Sequence, residues 1–269
     1  MRWIALLLVA ALALPAFADG NLTATMTGRT LTITGDDAAN SVVIAPGGAT
    51  DAISVTPTVN TTLNGETAAI VFSNVRSITV VMGAGNDRVD FARINLRGNV
   101  KVRLDDGNDT VFFTGTAIRG RVAVRGGAGI DTVRAESAAI FYGSLVVKGE
   151  SENDELQFVS SQFRNRFRIE AGSGDDHVLV QSSVANETAR VDVYAGRGLD
   201  LLEIVSSQFA NDVFADLGLD NDRARVVSSK FTLDASMFGG LGADDVLSLE
   251  GVNTFTRLKT FDGFEEGQP

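Results

Sequence analysis

At 269 residues the chain is long enough for one large domain or two ordinary ones. Its formal charge of −11 disfavours nucleic acid as the main partner and favours cations. No cysteine is present, which excludes disulfides and a thiol-linked lipid, so rigidity has to come from packing or from bound ions.

Residues 1–18 read as a signal peptide. Arg2 gives a positive start, Trp3 to Leu14 are apolar, and Ala16-Phe17-Ala18 suits cleavage before Asp19. The apolar stretch is about 12 residues, short of the ~20 that span a bilayer. No later segment is apolar enough to cross, so the mature chain is expected without a membrane span, either secreted or held in the periplasm or at the cell surface. Residues 19–80 are expected to form an N-terminal β cap with imperfect coils. Leu31–Asp37 and Ser77–Met82 have strand composition, and Asn40-Ser-Val-Val-Ile44 resembles a degenerate repeat start 47 residues before Asp87.

Residues 81–253 carry the dominant signal. A turn motif ends in Asp87, Asp109, Asp131, Asp154, Asp176, Asp200, Asp222 and Asp244, at intervals of 22 to 24 residues. So tight a period means one unit stacked on itself, with eight carboxylates in a column. Two residues after each Asp stand Val89, Val111, Val133, Leu156, Val178, Leu202, Ala224 and Val246. Four after stand Phe91, Phe113, Ala135, Phe158, Val180, Ile204 and Val226. This is the alternation of a half-buried strand. Nine after, a second inward column is expected at Leu96, Ile118, Ile140, Phe163, Ala185, Phe209 and Phe231. A third alternating run follows, for example Val100/Val102/Leu104. Three short strands per 22 residues describe an all-β fold, a single-stack parallel β-helix of about eight regular coils. Paired serines (Ser160-Ser161, Ser182-Ser183, Ser206-Ser207, Ser228-Ser229) recur at one bend, where hydroxyls bond local backbone. Residues 254–269 are expected to be a cap strand followed by an acidic tail.

The full motif is Gly-x-Gly-x-Asp-x-Val, as in Gly83-Ala-Gly85-Asn-Asp87 and Gly172-Ser-Gly174-Asp-Asp176; the repeats ending at Asp109, Asp154 and Asp222 depart from it. Glycines permit positive φ and expose carbonyls, which calcium takes together with carboxylates. Gly126-Gly-Ala-Gly-Ile-Asp-Thr-Val133 and Gly239-Gly-Leu-Gly-Ala-Asp244 resemble the haemolysin-type calcium-binding repeats of RTX proteins. The resemblance covers the turn and first strand of each coil, about a third of the chain. It implies calcium held by the eight Asp residues between adjacent turns. Two departures stand beside it. RTX repeats recur every nine residues, with two turns per coil, and RTX proteins usually lack an N-terminal signal. The residues alone leave a second reading open, in which each Asp caps its own turn through backbone N–H groups.

Basic residues suggest another surface. Arg97, Arg119 and Arg164 share the tenth position after the Asp, and Lys101, Arg103, Arg121, Arg125, Arg166 and Arg168 lie close by on an outward face. Such a stripe suits an anionic glycan or the cell-envelope surface, or simply a solvated strand face. The repeat intervals leave no room for the loops that build a polysaccharide lyase or hydrolase cleft on a β-helix. The lone histidine, His177, follows the turn Asp176 on an outward strand position, where a surface histidine is usually incidental. The expectation is a non-enzymatic, exported, calcium-binding solenoid of the envelope. A glycan-binding module or adhesin is the alternative, with a β-helix polysaccharide enzyme behind it.

Overall fold

The computed structural model describes residues 20–266, so the leader at 1–18, Asp19 and the last three residues of the acidic tail lie outside the described residues. Each regular coil is built from three strands. The first is long (Ser77–Ala84, then Val100–Asp106), the second has five residues (Arg88–Ala92, then Thr110–Thr114), and the third has two (Asn95–Leu96, then Ala117–Ile118). Equivalent strands of successive coils pair in parallel, giving a long face and a middle face of twelve strands each and a narrow face of eight. The fold is thus an all-β parallel solenoid of about eight coils, as the repeat requires.

The interior follows from strand alternation, because side chains of one parity all point inward. On the middle face Val89, Val111 and Val133 pair in register, and beside them Phe91 stacks on Phe113 at 4.9 Å, the spacing of adjacent strands. Along the narrow face Phe209, Phe231 and Phe255 stack at 5.2 and 4.9 Å. Burying one such side chain is worth about 1.5–3 kcal/mol, and the column repeats it in every coil.

Two expected core positions shift. Phe141, not Ile140, takes the narrow-face column, paired with Ile118 and Phe163. An extra residue at Ser137-Ala138, both at positive φ, delays that strand by one. In the last repeat Leu247, not Val246, lies opposite the inward Ala224.

The N-terminal end closes as a cap. Gly20–Thr27 folds back antiparallel on Thr30–Thr34, and Ile53–Pro57 folds back on Ser41–Pro46. These reversed strands, with the three-residue strands Thr61–Leu63 and Ile70–Phe72 outside them, cover the edge of the first coil, and so short an edge strand offers little template for another chain. Ser41–Ile44 pairs in parallel with Arg88–Phe91, so the segment at Asn40 is the first, imperfect coil. Ser77–Ala84 already belongs to the long face, a few residues before the expected start of the regular stack. At the far end Thr254–Phe255, Lys259–Asp262 and Glu265–Glu266 extend all three sheets by one more coil. There the ammonium of Lys259 lies over the rings of Phe255 and Phe261, laying a charge across the end of the core.

Candidate functional site: the buried aspartate column

The turn from the long to the middle face holds its shape through positive φ at two alternate residues, such as Gly127 (φ 137°) and Gly129 (φ 120°). Where glycine is absent the backbone keeps the same form, with Asp105, Glu150, Glu152 and Asp220 all at positive φ. L residues there cost about 1–2 kcal/mol each, which stacking against neighbouring turns has to outweigh. The final Asp of the motif leaves this turn two residues before the inward Val, on the same parity, and therefore points into the interior.

Seven of the eight expected residues stand in that column: Asp87, Asp109, Asp131, Asp154, Asp176, Asp200 and Asp222 are all at most 2% exposed. The eighth position belongs to Asp245, fully buried, while Asp244 is exposed on the turn. The glycine spacing favours Asp244, but the strand register that sets Leu247 against Ala224 also turns Asp245 inward. The ladder has a ninth, neutral rung at its start, the buried Asn40.

Each Asp does not cap its own turn. Its Oδ1 accepts the backbone N–H of the equivalent residue one coil earlier. Asn40 N–H donates to Asp87, Asp87 to Asp109, Asp109 to Asp131, and so on to Asp245, at 2.7–2.9 Å throughout. The other oxygen, Oδ2, is buried and in all eight has no hydrogen-bond partner among the described residues. Burial pushes the carboxyls up, and neighbouring acids add to it, against the downward pull of the N–H bond. Asp109 and Asp176 rise to about 6. Asp87, Asp131 and Asp222 rise to about 7, and Asp154 and Asp200 to about 8. A column of like charges one coil apart in a dry interior has to be neutralised by protons or by cations.

The donor set is hard oxygen, which suits calcium or magnesium over the softer transition metals. Among the described residues no three His, Cys, Asp or Glu side chains converge on one point; the oxygens come singly, one per coil. The surroundings of the column vary. Five residues before the Asp stand Met82, Leu104, Ala171, Ala195 and Leu217, all buried. In two adjacent coils that residue is Gly126 or Gly149, and a Cβ at either would collide with Oδ2 of Asp131 or Asp154. These two carboxylates therefore lean into space that a side chain would otherwise fill.

A second internal ladder lies at the bend after the middle face. Ser160, Ser182, Ser206 and Ser228 take positive φ, which turns the following serine inward. Ser161 N–H donates to Ser183 Oγ, Ser183 to Ser207, Ser207 to Ser229, and Ser229 to Asn253 Oδ1. Each hydroxyl in turn donates to a carbonyl, as Ser183 does to Phe158 at 3.0 Å. The serines are thus structural. His177 is outward on the middle face, 3.1 Å from Glu203, which also accepts from Arg225. The basic residues Lys101, Arg103, Arg119, Arg121 and Arg125 are exposed, as expected. Missed by the sequence reading is Asp192, fully buried on that side and clamped between Arg166 and Arg190. Its outward parity conceals that burial.

No protein-family model, curated protein or solved structure matches this chain.

Proposed function

We propose that this protein is an exported, non-enzymatic structural solenoid of the cell envelope or its exterior, and that the free oxygens of the Asp column take up calcium between coils. The observation that carries the reading is the unshared oxygen: eight buried carboxylates each engage one oxygen in the ladder and leave the other without a partner. Asp131 and Asp154 are the first candidates, because Gly126 and Gly149 leave room beside them. Asp87, Asp109, Asp176, Asp200, Asp222 and Asp245 follow; Asp244, outside the column, does not. A bound divalent cation would neutralise charge that otherwise has to be removed by protonation. Export is supported by the charged and apolar start of the chain and its Ala-x-Ala site. The structural role is supported by an interior in which the serine and aspartate rungs are both committed to holding coils together.

Thermal unfolding at pH 8 tests the calcium part, in EDTA, in millimolar magnesium and in millimolar calcium. Calcium selectively raising the Tm, with the rise lost in Asp131→Asn/Asp154→Asn, is the expected result, since an ion bound to the folded chain stabilises it by mass action. An unchanged Tm at pH 8 would leave the column to protons alone and remove calcium from the function.

A further inference from the structure

The outward side of the long face carries charges that run in order along the stack. In one row, held in register strand to strand, Arg103, Arg125 and Lys148 are succeeded by Glu170, Tyr194 and Asp216, then by Phe238 and Asp262. The row beside it begins at Lys101 and Ala123, continues through Val146, Arg168 and the buried Asp192, and reaches Phe214. At the adjoining corner Arg121, Arg166 and Arg190 give way to Asp212 and Asp234, with Asp192 paired to the last two of those arginines. Within these rows the strands from Val100–Asp106 to Leu145–Ser151 present cations, and those from Val213–Leu219 to Lys259–Asp262 present acids and partly exposed aromatic rings.

Like charges directly opposite in neighbouring strands destabilise a sheet. Asp105 pairs with Arg103, and Glu170 pairs with Lys148, yet no ion pair forms at Arg121 or Arg125 among the described residues. On the acidic half Tyr194, Phe214 and Phe238 stand in a line with centroids 5.5 and 5.6 Å apart, only half covered by their neighbours. Such a line of rings on a solvated sheet face marks a contact surface.

We propose that two copies of this chain pair antiparallel through the long face, about a twofold axis that runs along the strands and passes between Phe167–Ser173 and Val191–Arg197. Four strands lie on each side of that axis, from Val100–Asp106 to Phe167–Ser173 and from Val191–Arg197 to Lys259–Asp262. A rotation about the strand direction reverses the order of coils and keeps each residue in its row. It therefore brings Asp262 to the Arg103 of the second copy, Asp216 to its Lys148 and Asp234 to its Arg121. In the same operation Phe214 meets Val146, and Phe238 meets the guanidinium of Arg125. Each contact occurs twice, as an isologous interface requires. Eight strands about 4.8 Å apart and about five residues wide cover roughly 630 Å² per partner, at the lower end of specific interfaces.

Charge complementarity also selects the occupant. A free polyanion would meet the basic half and be repelled by the acidic half, leaving Phe214 and Phe238 uncovered. A second copy answers both halves and covers the rings. At the axis Arg166 stands opposite the Arg190 of the second copy, and Asp192, which pairs with both arginines within each copy, offsets that meeting.

Sedimentation equilibrium of the protein between about 1 and 100 μM, at about 50 mM and about 1 M salt, gives the first readout. A dimer that weakens at least tenfold in the higher salt is expected. Two variants complete the test: Arg103→Glu/Arg121→Glu/Lys148→Glu and Asp216→Lys/Asp234→Lys/Asp262→Lys. Each alone is expected to be monomeric with an unchanged circular dichroism spectrum, and an equimolar mixture is expected to form a one-to-one heterodimer. The mixture shows that the variants remain folded. A wild-type monomer across the whole range overturns the proposal, as does a dimer indifferent to both triple substitutions, or two folded variants that fail to pair. A monomer that binds heparin through Arg121 and Arg125 also overturns it, and assigns the face to a polyanion.

Discussion

At one corner of each regular coil an aspartate turns into the core and accepts the backbone N–H of the coil before it, and at a second corner Ser183, Ser207, Ser229 and Asn253 do the same. At the serine corner the hydroxyl also donates, so Ser183 takes the N–H of Ser161 and gives its own proton to the Phe158 carbonyl. Nothing is left over, and the ladder is neutral. At the aspartate corner the ionised side chain can only accept. One oxygen closes the rung and the second is stranded with its charge. Two ladders of the same geometry thus differ in what they ask of the solvent. The serine ladder asks for nothing, whereas the aspartate ladder needs a proton or a cation in each rung.

The largest expected consequence is a dependence of stability on pH that comes from one corner alone. The folded carboxyls titrate at about 6 to about 8, against 3.8 when unperturbed. Between these limits the folded chain binds more protons than the unfolded one, so the stability that these rungs contribute is full below about pH 3.8 and is lost as pH rises towards 8. A tenfold change in proton affinity is worth about 1.4 kcal/mol, so even that much retained in each of seven rungs totals about 10 kcal/mol, the whole stability of a typical domain. Urea unfolding in EDTA at pH 5 and pH 8.5 measures it. Equal midpoints would mean that the column carries no net charge to lose.

A single rung separates geometry from charge. Asp154→Ala removes the acceptor for the Asp131 N–H, bonded at 2.8 Å, and at pH 5 should cost about 1–3 kcal/mol for the orphaned donor. Asp154→Asn keeps an acceptor oxygen and removes the charge, so at pH 5 it should change little. At pH 8.5 it should stabilise by about 1 kcal/mol or more, because a carboxyl displaced to about 8 is then mostly ionised. A loss at both pH values would show that the ionised form is the one the column requires. At the other corner Ser183→Ala should cost about 1–2 kcal/mol for the Ser161 N–H and the lost donor. That cost should be equal at pH 5 and pH 8.5; a pH-dependent loss would mean that the two ladders are not independent.

Much of this was legible in the sequence, because a repeat of 22 residues with three alternating runs admits few folds. The column of Asp residues was legible as a column, and Asn40 as the start of an imperfect coil. Its direction was harder to read. Glycine-rich turns suggest exposure, but Asp87 has the parity of Val89 and Phe91, and that parity places it inside. Asp244 and Asp245 are adjacent, so motif spacing and strand register give different answers, and the register prevails since it decides which side chains enter the core. The same cause moves the narrow-face column from Ile140 to Phe141. A one-residue slip exchanges the faces of a strand, and no local pattern marks where the extra residue of that coil is absorbed. The charge order along the long face lies in residues about 22 apart, so it emerges only once the strands are stacked.

The smallest expected effect concerns the point at which the serine ladder breaks. Its column continues towards the N-terminal end through Ala139 and Thr116, where Ile140 N–H donates to the Thr116 carbonyl just as Val184 N–H donates to that of Ser161. Ala139 offers no oxygen, and the buried Thr116 hydroxyl one coil earlier has no partner. In Ala139→Ser the new hydroxyl would stand where an acceptor for the Thr116 N–H is lacking. A gain of about 0.5–1 kcal/mol is expected, the usual net worth of a buried hydrogen bond. The gain should be the same at pH 5 and pH 8.5, since no charge is involved. A loss in urea unfolding would mean that the interior there, fully closed around Ala139, has no room for one more atom. The reach of the serine ladder would then be limited by packing volume, whereas that of the aspartate ladder is limited by charge.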